Sequence, residues 1–133
     1  MAGETILVVD DVPISLKLTG ILLRREGFQV VTAPDAEWTL ELLGSIHHDL
    51  ILVDIQLPGM DGLELTRRVK QNPETQDIVV VALTACAMKG DDQRAFEAGC
   101  DGYITKPVDT MTLGSRIREY LDHQLIAQDC VGT

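Results

Sequence analysis

Residues 49–62 read DLILVDIQLPGMDG. Four consecutive apolar residues, Leu50 to Val53, run straight into Asp54, and Gly59 and Gly62 come after it in a stretch that reads as a turn. Glycine suits a turn because it accepts a positive φ at no steric cost. An apolar run that does not alternate with polar residues belongs to a strand buried on both faces. Such a strand lies inside a sheet that carries helices on either side. Asp54 then stands at the carboxyl end of an interior strand.

Working outward, the same signature recurs. Ile6 to Val9 and Ile78 to Leu83 are further apolar runs, and Phe28 to Thr32 and Gly102 to Thr105 are weaker strand candidates. Helical spacing fills the gaps. Ile14, Leu18, Ile21 and Leu22 fall at i, i+4, i+7 and i+8, which predicts one buried helix face, and Gly27 comes next as a C-terminal cap. Ala36, Leu40 and Leu43 mark a second helix, with Trp38 expected to pack within it, and residues 62–71 carry a third. Residues 89–98, closed by Gly99, carry a fourth, and Leu113, Ile117, Tyr120 and Leu121 mark a fifth. Strands alternating with helices predict a parallel sheet covered on both faces, and right-handed crossovers make it a doubly wound α/β sandwich. One domain is expected over residues 1–123, with 124–133 as a short C-terminal tail and no output domain.

Composition narrows the function. The 133 residues include 21 acidic against 11 basic side chains, a net charge of -10. Direct nucleic-acid binding needs a basic patch, and the basic residues here are scattered apart from Arg24-Arg25 and Arg67-Arg68. An anionic membrane surface is disfavoured for the same reason. The apolar run from Ile78 to Met88 is short of the about 20 residues a bilayer span requires, and Met1 to Thr5 lacks the features of a signal peptide. Cys86, Cys100 and Cys130 form no C-x-x-C pair and share no zinc-ligand spacing with His47, His48 or His123. Reduced thiols in the cytoplasm are the expectation. An acidic surface suits a divalent cation or a basic partner protein.

Open parallel sheets bind ligands beyond the carboxyl ends of their strands, at the topological switch point. The residues at those ends are Asp10 and Asp11 after the first strand, Asp54 after the third, Thr84 after the fourth, and Lys106 with Pro107 after the fifth. With the strand order 2-1-3-4-5, the first and third strands are neighbours and the three carboxylates converge. Carboxylates that close repel one another unless a cation sits among them. An all-oxygen, partly open site favours magnesium, which keeps waters and accepts a substrate phosphate. Lys106 adds a positive charge and Thr84 a hydroxyl donor. A carboxylate beside such a cation can act as a nucleophile toward phosphorus and form an aspartyl phosphate, a transfer that depends chiefly on charge neutralisation and positioning.

Four segments carry a family resemblance: ILVVDD (6–11), DLILVDIQLPGMDG (49–62), ALTA (82–85) and GCDGYITKP (99–107). Each is weak alone. In this order and spacing they resemble the receiver domain of two-component response regulators, from about Thr5 to about Leu121. The resemblance implies a flavodoxin-like fold with five strands and five helices. It implies Asp54 as phosphoacceptor, and Asp10, Asp11, Asp54 and the Gln56 backbone carbonyl as magnesium ligands. Thr84 and Lys106 would contact the phosphoryl group, and Thr84 and Tyr103 would act as the switch pair. Pro107 often follows a cis peptide bond in the family, which would aim the lysine. The face built by the fourth helix, fifth strand and fifth helix would be the readout. The phosphoryl group would come from a sensor histidine kinase or a histidine phosphotransfer protein, and a downstream protein would read the switched face. The only enzymology expected is the chain's own aspartyl phosphorylation and dephosphorylation. The motifs fit a stand-alone receiver; a module of a hybrid histidine kinase or a phosphorelay intermediate is the alternative.

Blander and rival readings stand beside this. Taken singly, Asp10, Asp11 and Asp54 would be solvated surface acids, Thr84 a strand terminus, Lys106 a surface lysine and Tyr103 a core aromatic. Cys86 reads as a small filler near the pocket, and Met60 as loop packing. A flavodoxin-like cofactor carrier needs a phosphate-cradling loop after the first strand, where this chain has Asp10-Asp11. Aspartate phosphatases resembling haloacid dehalogenases carry an acid two residues after the nucleophile, where this chain has Gln56. A degenerate receiver that only binds partners is the third rival, and the intact acid pair, Asp54, Thr84 and Lys106 argue against it.

Overall fold

In the computed structural model, residues 4–45, 47–55, 61–84, 91–105 and 110–132 are described, with the side chains of Thr84, Asp91, Asp92 and 123–132 outside the description. The elements run β1 (Thr5–Val9), α1 (Pro13–Arg25), β2 (Gln29–Ala33), α2 (Ala36–Leu43), β3 (Leu50–Asp54), α3 (Gly62–Gln71), β4 (Val79–Thr84), α4 (Asp91–Ala98), β5 (Gly102–Thr105) and α5 (Leu113–Gly132). All strands pair in parallel, in the order β2-β1-β3-β4-β5. This is the doubly wound sheet expected from the alternation of strand and helix patterns. The helix α5 reaches Gly132, beyond the Leu121 at which the apolar repeat ends.

The unbroken apolar runs split cleanly by parity, because successive strand side chains point to opposite faces. Leu7, Val9, Ile51, Val53, Val80 and Ala82 face one layer, where they meet Ala36 of α2, Leu63, Leu65 and Val69 of α3, and Ala95 and Ala98 of α4. Ile6, Val8, Leu50, Leu52, Val79, Val81 and Leu83 face the other, against Leu22 and Leu23 of α1 and Leu113, Ile117 and Leu121 of α5. Two cores therefore share one sheet, and each strand's backbone is held between them.

Two expectations about α1 and α2 are overturned. On α1, Ile14 is 77% exposed and Leu18 and Ile21 each 44%. Of the expected face Leu22 is buried, and its companions on the buried side are Thr19, Gly20 and Leu23. The helix PISLKLTGILLRR is apolar on more than one side, so spacing alone does not say which stripe meets the sheet. Gly20 lies on the side that faces β2, where a Cβ would meet Val30 Cγ1 at 3.7 Å, an ordinary van der Waals contact. Trp38 on α2 is 53% exposed instead of packed.

Helix ends obey local chemistry. Gly27 takes φ +96° just after α1, the left-handed turn that favours glycine. The side chains of Asp35 and Asp61 accept hydrogen bonds from Trp38 N and Glu64 N, each at 2.8 Å, capping α2 and α3. Both edge strands are touched by arginines from the same layer: Arg24 of α1 donates to Val30 O at 3.5 Å, and Arg116 of α5 to Tyr103 O at 3.3 Å. Charged side chains on an edge are an obstacle to unwanted strand pairing.

Candidate active site: an acidic cluster at the strand carboxyl ends

The sheet's register assembles the site. Val9 of β1 pairs with Val53 of β3, so Asp10 and Asp54, one residue further on, are neighbours. Asp54 pairs in turn with Leu83 of β4, and Thr84 with Thr105 of β5. One carboxylate oxygen from each of Asp10, Asp11 and Asp54 lies within 4.8 Å of the others. Asp10 is 1% exposed and Asp54 6%, whereas Asp11 is open to solvent. The cluster thus joins two buried carboxylates to one that is open to solvent.

Asp10 is fixed by its backbone and side chain together. Its N–H donates to Ala33 O at 3.2 Å, and its Oδ1 accepts from Val12 N at 3.0 Å. That turn also launches α1, because Pro13 occupies the helix start where a missing N–H does no harm. Asp54 is fixed through the residues on its carboxyl side. Ile55 N donates to Leu83 O at 3.0 Å, and Gly62 N to Ile55 O at 3.2 Å, which returns the chain to the strand end as α3 begins. The return is tight: a Cβ on Gly62 would lie 2.5 Å from Asp54 O and 2.7 Å from Ile55 Cα. Gly62 is therefore needed for close approach. It is the first residue of α3 and not one of the positive-φ glycines, which corrects the expectation of a left-handed turn there.

Tyr103 is half-buried on β5, with its side chain against the core shared with α2, α3 and α4. Gln56, Gly59, Met60, Cys86, Lys106 and Pro107 lie outside the described residues, as does the Thr84 side chain. The backbone still places Thr84 one residue beyond Leu83, the partner of Asp54. Two features escape a reading of the sequence. The exposed apolar side of α1 starts directly beside Asp10 and Asp11. The Asp61 cap, with Glu64 three residues on, is a helix-start pattern that marks where the loop after Asp54 must end.

Three carboxylates converging at the strand ends are a hard-oxygen donor set that fits a small divalent cation. Known proteins agree in kind. The model of the response regulator receiver domain matches residues 6–118. The polar-differentiation response regulator DivK of Brucella ovis is 37% identical over 118 residues, covering 89% of this chain and 96% of that protein. A CheY-like response regulator receiver domain protein from Methanospirillum hungatei superposes with a TM-score of 0.86 at 32% identity, over 95% of this chain and 99% of that one. The receiver domain of a sensor histidine kinase from Pseudomonas aeruginosa superposes with a TM-score of 0.83 at 29% identity, over 91% and 99%. That structure holds a magnesium ion in its active-site cleft. With the sheet order, the acidic cluster and the family match in agreement, the chain belongs to the response regulator receiver domain family.

Proposed function

We propose that this receiver takes a phosphoryl group onto Asp54 from a phosphohistidine of a sensor histidine kinase or phosphotransfer protein. The observation that carries the reading is the convergence of Asp10, Asp11 and Asp54 within 4.8 Å at the strand ends. Asp54 is assigned the nucleophile's role by the likeness of residues 49–62 to the receiver motif, in which the acid that ends this strand is the phosphoacceptor. In the transfer, an Asp54 carboxylate oxygen bonds to phosphorus as the phosphorus–nitrogen bond to the histidine breaks, and the ring nitrogen keeps the electron pair. Asp10, Asp11, Asp54 and the Gln56 carbonyl would hold magnesium. That ion supplies neutralisation of charge on the phosphoryl oxygens. Lys106 pairs with a phosphoryl oxygen and Thr84 donates its hydroxyl. Hydrolysis of the acyl phosphate later resets the switch, so the only catalysis is on the chain itself.

The donor docks beside the cluster. Ile14, Lys17, Leu18 and Ile21 line a shallow groove of about 200 Å³ on the exposed side of α1. Exposed apolar surface rimmed by polar residues marks an interaction site, and this one begins three residues after Asp11. A donor helix lying there would present its phosphohistidine to Asp54. Charge at Asp54 then draws Thr84 and Tyr103 inward and alters the face of α4, β5 and α5, which a downstream protein reads. The chain acts as a stand-alone receiver in the cytoplasm. Alignment with nearly all of a DivK protein supports the stand-alone reading.

The test is intact mass after incubation with acetyl phosphate and magnesium, wild type beside Asp54→Asn. The reading expects one added phosphoryl group that needs magnesium and is absent from the variant. Uptake by Asp54→Asn, or none by wild type, would overturn it.

A further inference from the structure

The strand β5 is held from both of its faces at one residue. The Tyr103 side chain packs into the core shared with α2, α3 and α4. Its backbone is gripped from the opposite layer by α5: Tyr103 N donates to Tyr120 Oη at 3.4 Å, and Arg116 Nη2 donates to Tyr103 O at 3.3 Å. The Tyr120 ring reaches the strand only because residue 102 is glycine, since a Cβ there would lie 2.4 Å from two ring carbons. The geometry gives this grip a direction. Gly102 and Ile104 face α5, while Tyr103 faces the α4 layer, so a turn of the Tyr103 ring on one side pulls on a backbone tied to the other.

We propose that Arg116 and Tyr120 are positioning residues that couple Tyr103 to α5, so that a change on the α4 side of the sheet moves α5. The proposal rests on the switch role of Tyr103 in the proposed function. Both hydrogen bonds are long for their type, which suits a contact made and released by a small shift of the strand. Anchoring at both the N–H and the carbonyl of one residue also fixes its backbone orientation, which a single bond would not do. Without the clasp, phosphorylation would still move Tyr103 and α4, but the movement would stop at the sheet.

The experiment is hydrogen exchange read by mass spectrometry, with and without acetyl phosphate and magnesium, on wild type and on Arg116→Met/Tyr120→Phe. The phenylalanine keeps the ring over Gly102 and removes only the hydroxyl. Phosphoryl uptake is read separately by intact mass, and folding by thermal melts of the double and both single variants. In wild type, uptake should change exchange in peptides of α4 and of residues 113–122 by about threefold or more. In the double variant, uptake and the α4 response should persist while the α5 response is lost. Arg116→Lys, which restores a donor, should recover part of it. An α5 response of wild-type size in the double variant would overturn the proposal, as would a wild-type α5 that takes no part in the response. Failure of phosphoryl uptake in wild type would instead sink the receiver chemistry, which the mass reports independently of exchange.

Discussion

At the scale of single residues, the site depends as much on a missing side chain as on the carboxylates. Gly62 opens α3 where the chain returns to the end of β3, and its Cα hydrogen occupies space that a methyl would contest with the backbone of Asp54 and Ile55. Backbone atoms in a paired interior strand have little room to move. Gly62→Ala is therefore expected to destabilise the fold by about 1–3 kcal/mol, the usual range for overpacking. It should also slow phosphoryl uptake from acetyl phosphate, because the displaced atoms include the Asp54 carbonyl. Denaturant unfolding measures the first effect and timed intact mass the second. A variant as stable as wild type would show that the loop yields freely. The carboxylates are legible in the sequence because strand ends in a parallel sheet have a fixed function. Gly62 reads there only as a turn glycine, because sequence cannot separate a need for positive φ from a need for empty space.

At the scale of elements, strands are legible in the sequence and helix faces are not. Residues 6–9 and 50–53 are apolar at every position, so either register buries them, and only a sheet covered on both faces satisfies that pattern. In α1 the same abundance of apolar residues hides the answer, since Ile14, Leu18 and Ile21 match helical spacing as well as the truly buried Leu22 and Leu23 do. The two stripes should respond oppositely to substitution. Leu23→Ala, at a fully buried position, should cost about 2–5 kcal/mol of stability. Ile14→Glu should change stability by no more than about 0.5 kcal/mol, yet slow phosphotransfer from a phosphohistidine protein while leaving uptake from acetyl phosphate unchanged. Equal loss with both donors would remove α1 as the docking surface. A second element is fastened by charge. Arg118 of α5 forms an ion pair with Glu4, with Nη2 to Oε1 at 3.3 Å, and its guanidinium lies 4.7 Å from the Phe28 ring centre. The hydrogen bond from Arg118 holds the Glu4 carboxyl below its ordinary 4.5. A lowered carboxyl pKa adds stability that is fully present above the unfolded value and lost as pH falls through the folded one. The stability difference between wild type and Glu4→Gln should therefore be present at neutral pH and vanish well below 4.5. Denaturant midpoints across that range would show it, and a difference independent of pH would assign the effect to packing.

At the scale of the whole molecule, the net charge of -10 sets a problem that the acidic site sharpens. Three ionised carboxylates within 4.8 Å would repel one another, a cost that a bound cation would relieve. General screening by salt relieves only the long-range part of the acidic surface, because close, partly buried charges are screened least. Magnesium should therefore raise Tm well beyond sodium chloride of equal ionic strength. By mass action, a hundredfold excess over Kd adds about 2.7 kcal/mol, or roughly 5–15 °C for a domain of this size. Asp11→Asn separates the two contributions. Its side chain is the exposed member of the cluster, so the fold should survive. With one of three charges gone, the variant should melt at a higher temperature than wild type without magnesium. The added metal should then stabilise it far less. Opposite signs in the two conditions are what a mutually repelling, cation-binding cluster requires. If Asp11→Asn instead lowers Tm without metal, or if sodium chloride matches magnesium for wild type, the three acids are merely neighbours on an acidic surface and do not make a metal site.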